Sequence, residues 1–261
     1  MIRTPYTYFS HKLVVLTLLL MMASFSCSKK TGEPGTPLDN NTITLQIIEE
    51  FSLDIKEPSG LCEAWNPNEL LVVSDHSNTI FRIDNKGVIL EEFPFKGEDL
   101  EGVSYQEAGK IIWVVDESVD KLYKLSKTGV MTKEYQLSYD AHPSNKGLEG
   151  IAVNTSNNHV FMLNEASPAL LLEFFNGEII NSIPLNFAPD YSGLFYHKET
   201  NQLWMISDEA KMIYQCSIKG ELINSFQHTV DKAEGIIVNT EEQVFWLCSD
   251  SEDKLYKLSA Q

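Results

Sequence analysis

The chain has 261 residues, and 37 Asp and Glu face 20 Lys and Arg for a formal net charge of −17. That balance repels nucleic-acid phosphates and anionic headgroups, so it excludes a nucleic-acid binder and favours cations or basic partners. Helical periodicity is absent throughout, which removes the all-α and α/β classes.

In chain order, Arg3 and Lys12 precede an apolar run, Leu13 to Met22, too short to span a bilayer and followed by small residues. The run stops at Cys27. Ala23, Ser24, Phe25, Ser26 and Cys27 resemble a lipobox, with Ser24 where an aliphatic residue is usual. Residues 1–27 therefore read as a lipoprotein leader that leaves a lipidated Cys27. Residues 28–41, rich in Pro, Gly, Thr and Asn, read as a flexible tether. The remaining 42–261 read as one domain, anchored to a membrane of the cell envelope, outer or inner, without spanning it. Cys62, Cys216 and Cys248 are an odd number in an exported chain, so buried thiols are expected rather than a disulfide framework.

Within the domain Gly60, Gly102, Gly150, Gly193 and Gly235 recur at spacings of 42, 48, 43 and 42 residues. A period in this range marks a stacked or radial repeat. Eleven residues beyond each glycine stand Leu71, Trp113, Phe161, Trp204 and Trp246; fifteen beyond stand Asp75, Glu117, Glu165, Asp208 and Asp250. One column is large and apolar, the other acidic in every copy.

Each unit divides into four short β-branched and aromatic runs separated by turn residues. In the first these are Gly60 to Trp65, Glu69 to Ser74, Thr79 to Ile83 and Val88 to Phe95. Four antiparallel strands per unit predict an all-β, five-bladed β-propeller. The fifth unit supplies three strands only, and Leu45 to Leu53 matches the missing outer strand, so the N-terminal strand is expected to close the ring and cover a sheet edge.

In a propeller the first strand of each blade lines the axis and the second runs back beside it. The residue before each glycine and the residue fifteen after it should therefore meet at one mouth. Glu101, Glu149 and Glu234 occupy the inner position, with Ser59 and Ser192 in the other two blades. Eight carboxylates around one opening need protonation, basic partners or a cation to offset their repulsion. Neither column contains a base, which points to a hard, oxygen-seeking ion such as calcium, with Glu101, Glu149, Glu234, Asp208 and Glu117 as ligand candidates. Ser59, Asp75, Glu165, Ser192 and Asp250 would complete the mouth. Turn capping is the competing account of the outer column.

The motifs Leu100 Glu101 Gly102 Val103, Leu148 Glu149 Gly150 Ile151, Tyr191 Ser192 Gly193 Leu194 and Ala233 Glu234 Gly235 Ile236 carry a family resemblance. Val115 Asp116 Glu117 and Ile206 Ser207 Asp208 Glu209, at the ends of second strands, add to it. Together they resemble the SdiA-regulated, or YjiK-like, family of exported or membrane-associated bacterial β-propellers. The resemblance implies calcium-responsive behaviour.

Three functions are open on these residues. The first is a non-enzymatic calcium-binding, monomeric envelope protein facing the periplasm, whose mouth takes a metal or small cationic ligand. A second is a metal-dependent hydrolase, either a phytase-like phosphoesterase or a lactonase using Glu101 with Asp208 and a base among His76, His142 and His197. The third is a scaffold for an envelope partner, with Tyr139, Phe187 and Tyr191 exposed at the acidic face.

Overall fold

The computed structural model describes residues 42–140 and 147–260. The expected leader, Cys27, the tether and His142 fall outside them. Strand β1 (Ile43–Ser52) comes first, and the first blade follows as β2 (Pro58–Glu63), β3 (Glu69–Ser74), β4 (Thr79–Asp84) and β5 (Ile89–Lys96). The second blade is β6 (Leu100–Gln106), β7 (Ile111–Asp116), β8 (Lys121–Ser126) and β9 (Met131–Gln136). Next come β10 (Leu148–Asn154), β11 (His159–Asn164), β12 (Leu170–Phe175) and β13 (Glu178–Pro184). The fourth blade holds β14 (Gly193–His197), β15 (Gln202–Ser207), β16 (Met212–Ser217) and β17 (Leu222–Gln227). The fifth begins with β18 (Ala233–Asn239), β19 (Val244–Ser249) and β20 (Lys254–Ala260).

Its outer strand is β1, which runs antiparallel to β20 from Leu45 opposite Ala260 to Ser52 opposite Lys254. The ring is thus closed by the N-terminal strand, as the repeat count predicts. The start of β1 also touches the fourth blade, where Ile43 and Thr44 pair in parallel with Phe226 and Gln227.

The inner strands β2, β6, β10, β14 and β18 follow one another around the axis. Their glycines explain how five strand starts fit there. A Cβ on Gly60 would lie 2.6 Å from the Glu101 carbonyl oxygen, one on Gly102 2.4 Å from that of Glu149, and one on Gly193 2.1 Å from that of Glu234. Each glycine therefore admits the backbone of the next blade, a close approach that any side chain would block.

Apolar side chains form five buried clusters, each between two neighbouring blades. Alternation along β3 shows why the middle strands read as continuous hydrophobic runs. Leu70 and Val72 pack toward the fifth blade, Leu71 and Val73 toward the second. The large apolar column is buried in the same way, with Leu71, Trp113, Phe161 and Trp204 at most 6% exposed. Cys62, Cys216 and Cys248 are buried free thiols within these layers, and burial pushes the Cys216 thiol up to about 12.

Candidate metal centre at the acidic mouth

Strand register, rather than repeat position alone, aims the inner residues. Pro58 faces Ser74 and Gly60 faces Val73, so Ser59 is an extra residue in the strand. The same β-bulge falls at Glu101, at Glu149 with Gly150, and at Glu234. A bulge turns a side chain out of the alternating pattern, here toward the axis instead of into a blade interface. The fourth blade differs: β14 starts at Gly193, and the Ser192 N–H bonds the Ile206 carbonyl at 3.0 Å.

Below the acidic column lies a fully buried polar one, Ser74, Asp116, Asn164, Ser207 and Ser249. Its members tie down the loops that lead into and out of the mouth. Ser74 Oγ donates to the Lys56 carbonyl at 2.6 Å, Ser249 Oγ to that of Asp231 at 2.6 Å, and the Glu98 N–H donates to Asp116 Oδ2 at 2.8 Å. Backbone bonds repeat the fastening: Asp75 N–H to Glu57 O, Glu117 to Asp99, Glu165 to Gly147 and Asp250 to Lys232, all within 3.2 Å. In the fourth blade the Asp190 carboxylate replaces the carbonyl, accepting from Asp208 N at 3.1 Å. The turn-capping account thus holds for the backbone of the outer column and leaves its carboxylates to be explained.

Those carboxylates divide into three groups. Asp99, Glu101 and Glu117 bring one oxygen each within 4.8 Å of one another. Burial, followed by the charges of Asp75, Asp99, Glu117 and Glu234, pushes Glu101 up to about 9. Glu117 is raised mainly by burial, although Gly147 N–H donates to its Oε1 at 2.7 Å and works against the rise. Asp75 joins this side, pushed up to about 7 by burial and by Asp250 and Glu57, and its buried Oδ1 has no hydrogen-bond partner among the described residues.

Glu149 and Glu234 stand across the mouth. Burial and the charges of Glu101 and Glu234 hold Glu149 well above the usual carboxylate range. Glu234 is pushed up to about 8 by burial and Asp208, with Lys232 opposing. Asp250 is raised by burial and Glu57. Ser59 Oγ donates to the Glu57 carbonyl at 3.2 Å and Ser192 Oγ to that of Ala233 at 2.8 Å, so both hydroxyls are engaged in shaping the mouth.

Asp208 belongs to neither group. Burial would raise it, but Lys211 at 3.0 Å and Lys232 at 3.2 Å hold it below the usual range. The columns themselves contain no base, yet these lysines enter from three residues past Asp208 and two before Glu234. Asp208 is therefore neutralised inside the fold, which removes it from the cluster with Glu101.

The histidine and aromatic expectations also change. His197 lies at the far end of β14, where Nδ1 meets Thr200 Oγ1 at 2.9 Å and Nε2 meets Thr240 Oγ1 at 3.0 Å. It cannot serve as a base at the acidic mouth. His76 stays exposed beside Glu57. Tyr191, expected on the surface, is fully buried, and its hydroxyl accepts the Phe187 and Ala188 N–H groups at 3.1 Å. Phe187 stacks edge-on against it, and Tyr139 donates to Asp120 Oδ1 at 2.9 Å. These rings hold loops in place rather than offering a docking surface.

Asp99 was not among the expected ligands. It stands three residues before Gly102, in a column of Glu57, Asp99, Gly147, Asp190 and Lys232 that extending the register upstream of the glycines would have found.

Leu61, Val103, Ile151, Leu194 and Ile236, each following a ring glycine, line an axial void together with Ser59, Glu101 and Glu234, and its water-accessible volume is about 10 Å³. That leaves room for about one water.

A family model for SdiA-regulated proteins matches residues 40–259. The chain belongs to the SdiA-regulated family. The SdiA-regulated propeller also shares its fold with solved structures. One is titled a streptogramin B lyase, at 18% identity and TM-score 0.52 over 83% of this chain and 73% of the other. The Myxococcus xanthus glutaminyl cyclase matches at 10% identity and TM-score 0.64 over 84% of this chain and 97% of that one.

Proposed function

We propose that this SdiA-regulated protein is an exported, membrane-anchored propeller that binds a hard divalent cation, calcium first, at its acidic mouth. The observation that carries the reading is the convergence of Asp99, Glu101 and Glu117 oxygens within 4.8 Å. Like charges at that range raise one another's proton affinity, and a cation relieves the same repulsion. The donor set fits: carboxylate oxygens alone suit calcium, and Asp75, whose charge acts on Glu101, has a buried Oδ1 without a hydrogen-bond partner among the described residues. When bound, the ion would supply positive charge at the axis; Asp99, Glu101 and Glu117 would hold it, with Glu149 and Glu234 stabilised opposite.

Calorimetry of the metal-free protein with calcium should give saturable heat and a rise in melting temperature. Glu101→Gln should weaken binding by roughly ten-fold or more, because ligand charge sets affinity in such sites. No heat and no thermal shift would overturn the reading. A screen of phosphate esters and lactones with calcium present should show no turnover, since Lys211 and Lys232 are paired with Asp208 and His197 is held by Thr200 and Thr240 at the opposite mouth. For the anchor, labelled fatty acid should enter the protein and be lost in Cys27→Ser.

A further inference from the structure

A cavity opens at the other mouth, where the inner strands end. It has a volume of about 480 Å³ and draws on all five blades. That size falls in the range of small-molecule pockets. Its lining includes none of the carboxylates of the acidic mouth, and the narrow axial void lies between the two, so nothing assigned to the metal centre accounts for it.

Its chemistry is laid down in layers. The floor is apolar, formed by Ile151, Leu194 and Val238, with one hydroxyl at Ser104 that accepts the Val153 N–H at 3.1 Å. The walls are aromatic: Trp65, Tyr105, Phe195 and Tyr196. Trp65 and Tyr105 pack at 5.3 Å between ring centroids with their planes inclined at 57°, so they form a V-shaped pair of walls. The rim carries four exposed carboxylates, Glu63, Glu107, Glu199 and Glu241. Lys198, also at the rim, is 3.4 Å from Glu199, while Lys127 and Arg82 stand 4.4 Å and 5.4 Å from the Trp65 ring centroid, which shows that this wall already attracts cations.

Polarity then decides the class of ligand. Anions are repelled by the rim, whereas aromatic faces and carboxylates together attract a cation. The buried Tyr105 hydroxyl has no hydrogen-bond partner among the described residues, although burial with the nearby Glu107 carboxylate raises the phenol to about 12. His197, braced by Thr200 and Thr240 on both ring nitrogens, is fixed wall rather than a reactive group.

We propose that this pocket binds a small organic cation with an aromatic body, such as an arylalkyl ammonium ion, lodged in the angle between Trp65 and Tyr105 with its charge toward Glu107 and Glu199. The test uses the full-length protein and three probes of one shape: phenethylammonium, 2-phenylethanol and 3-phenylpropanoate. Calorimetry should rank them in that order. Trp65→Leu should weaken phenethylammonium about ten-fold. Glu107→Gln combined with Glu199→Gln should weaken it about five-fold while leaving the alcohol unchanged. Both glutamates are exposed, so that double variant decides the matter if Trp65→Leu does not fold. Equal binding of ammonium and carboxylate probes, or binding of none, overturns the proposal. Displacement of phenethylammonium by calcium overturns it as well, because it would put the probe at the acidic mouth.

Discussion

Single residues set the tolerances of this ring. A Cβ at Gly102 would lie 2.4 Å from the Glu149 carbonyl oxygen and 2.9 Å from Val115 and Ile151 side-chain carbons. Backbone cannot retreat there without moving the next blade, so Gly102→Ala should cost about 2 kcal/mol or more, read by urea denaturation. His228 is a different case. It is 1% exposed, neither ring nitrogen has a hydrogen-bond partner among the described residues, and burial with the nearby Lys211 charge pushes it down to about 4. Because a folded-state pKa below the ordinary 6.5 disfavours the charged form, stability is complete above pH 6.5 and declines as pH falls toward 4. Between pH 7.5 and 5 the decline due to His228 should be about 2 kcal/mol, and His228→Gln should flatten it. At this scale the sequence showed the identity of every column, but not that Asp208 would be claimed by Lys211 and Lys232. That pairing joins the turn after β15 to the loop before β18.

Elements were the most legible level. Alternation of apolar runs and turn residues placed the strands within one to three residues, because strand period and turn chemistry are local properties of the chain. The bulges were less accessible. Only the register, with Leu100 facing Asp116 and Gly102 facing Val115, shows Glu101 as an extra residue. Strand β1 tests the closure directly. Leu45 is 1% exposed between the fourth and fifth blades, so Leu45→Ala should cost about 3 kcal/mol by urea denaturation. Removing residues before Leu53 should expose the edge of β20, and size-exclusion chromatography should then show a larger apparent size than that of the intact protein.

For the whole molecule, the net charge of −17 and the crowding of carboxylates at one mouth predict a stability that depends on ions. Raising NaCl from about 0.05 to 0.5 M should lift the melting temperature of metal-free protein by screening that repulsion, and the effect should shrink once calcium is bound. Differential scanning calorimetry with and without calcium checks both halves. The sequence alone determined the number of blades, the closing strand and the acidic character of one face, since each follows from residues at fixed spacing along the chain. Tertiary structure decided which carboxylates meet, which are neutralised and that a second, aromatic mouth exists. Those outcomes depend on the curvature that brings five distant strand ends around one axis, and no local period encodes the distances across it.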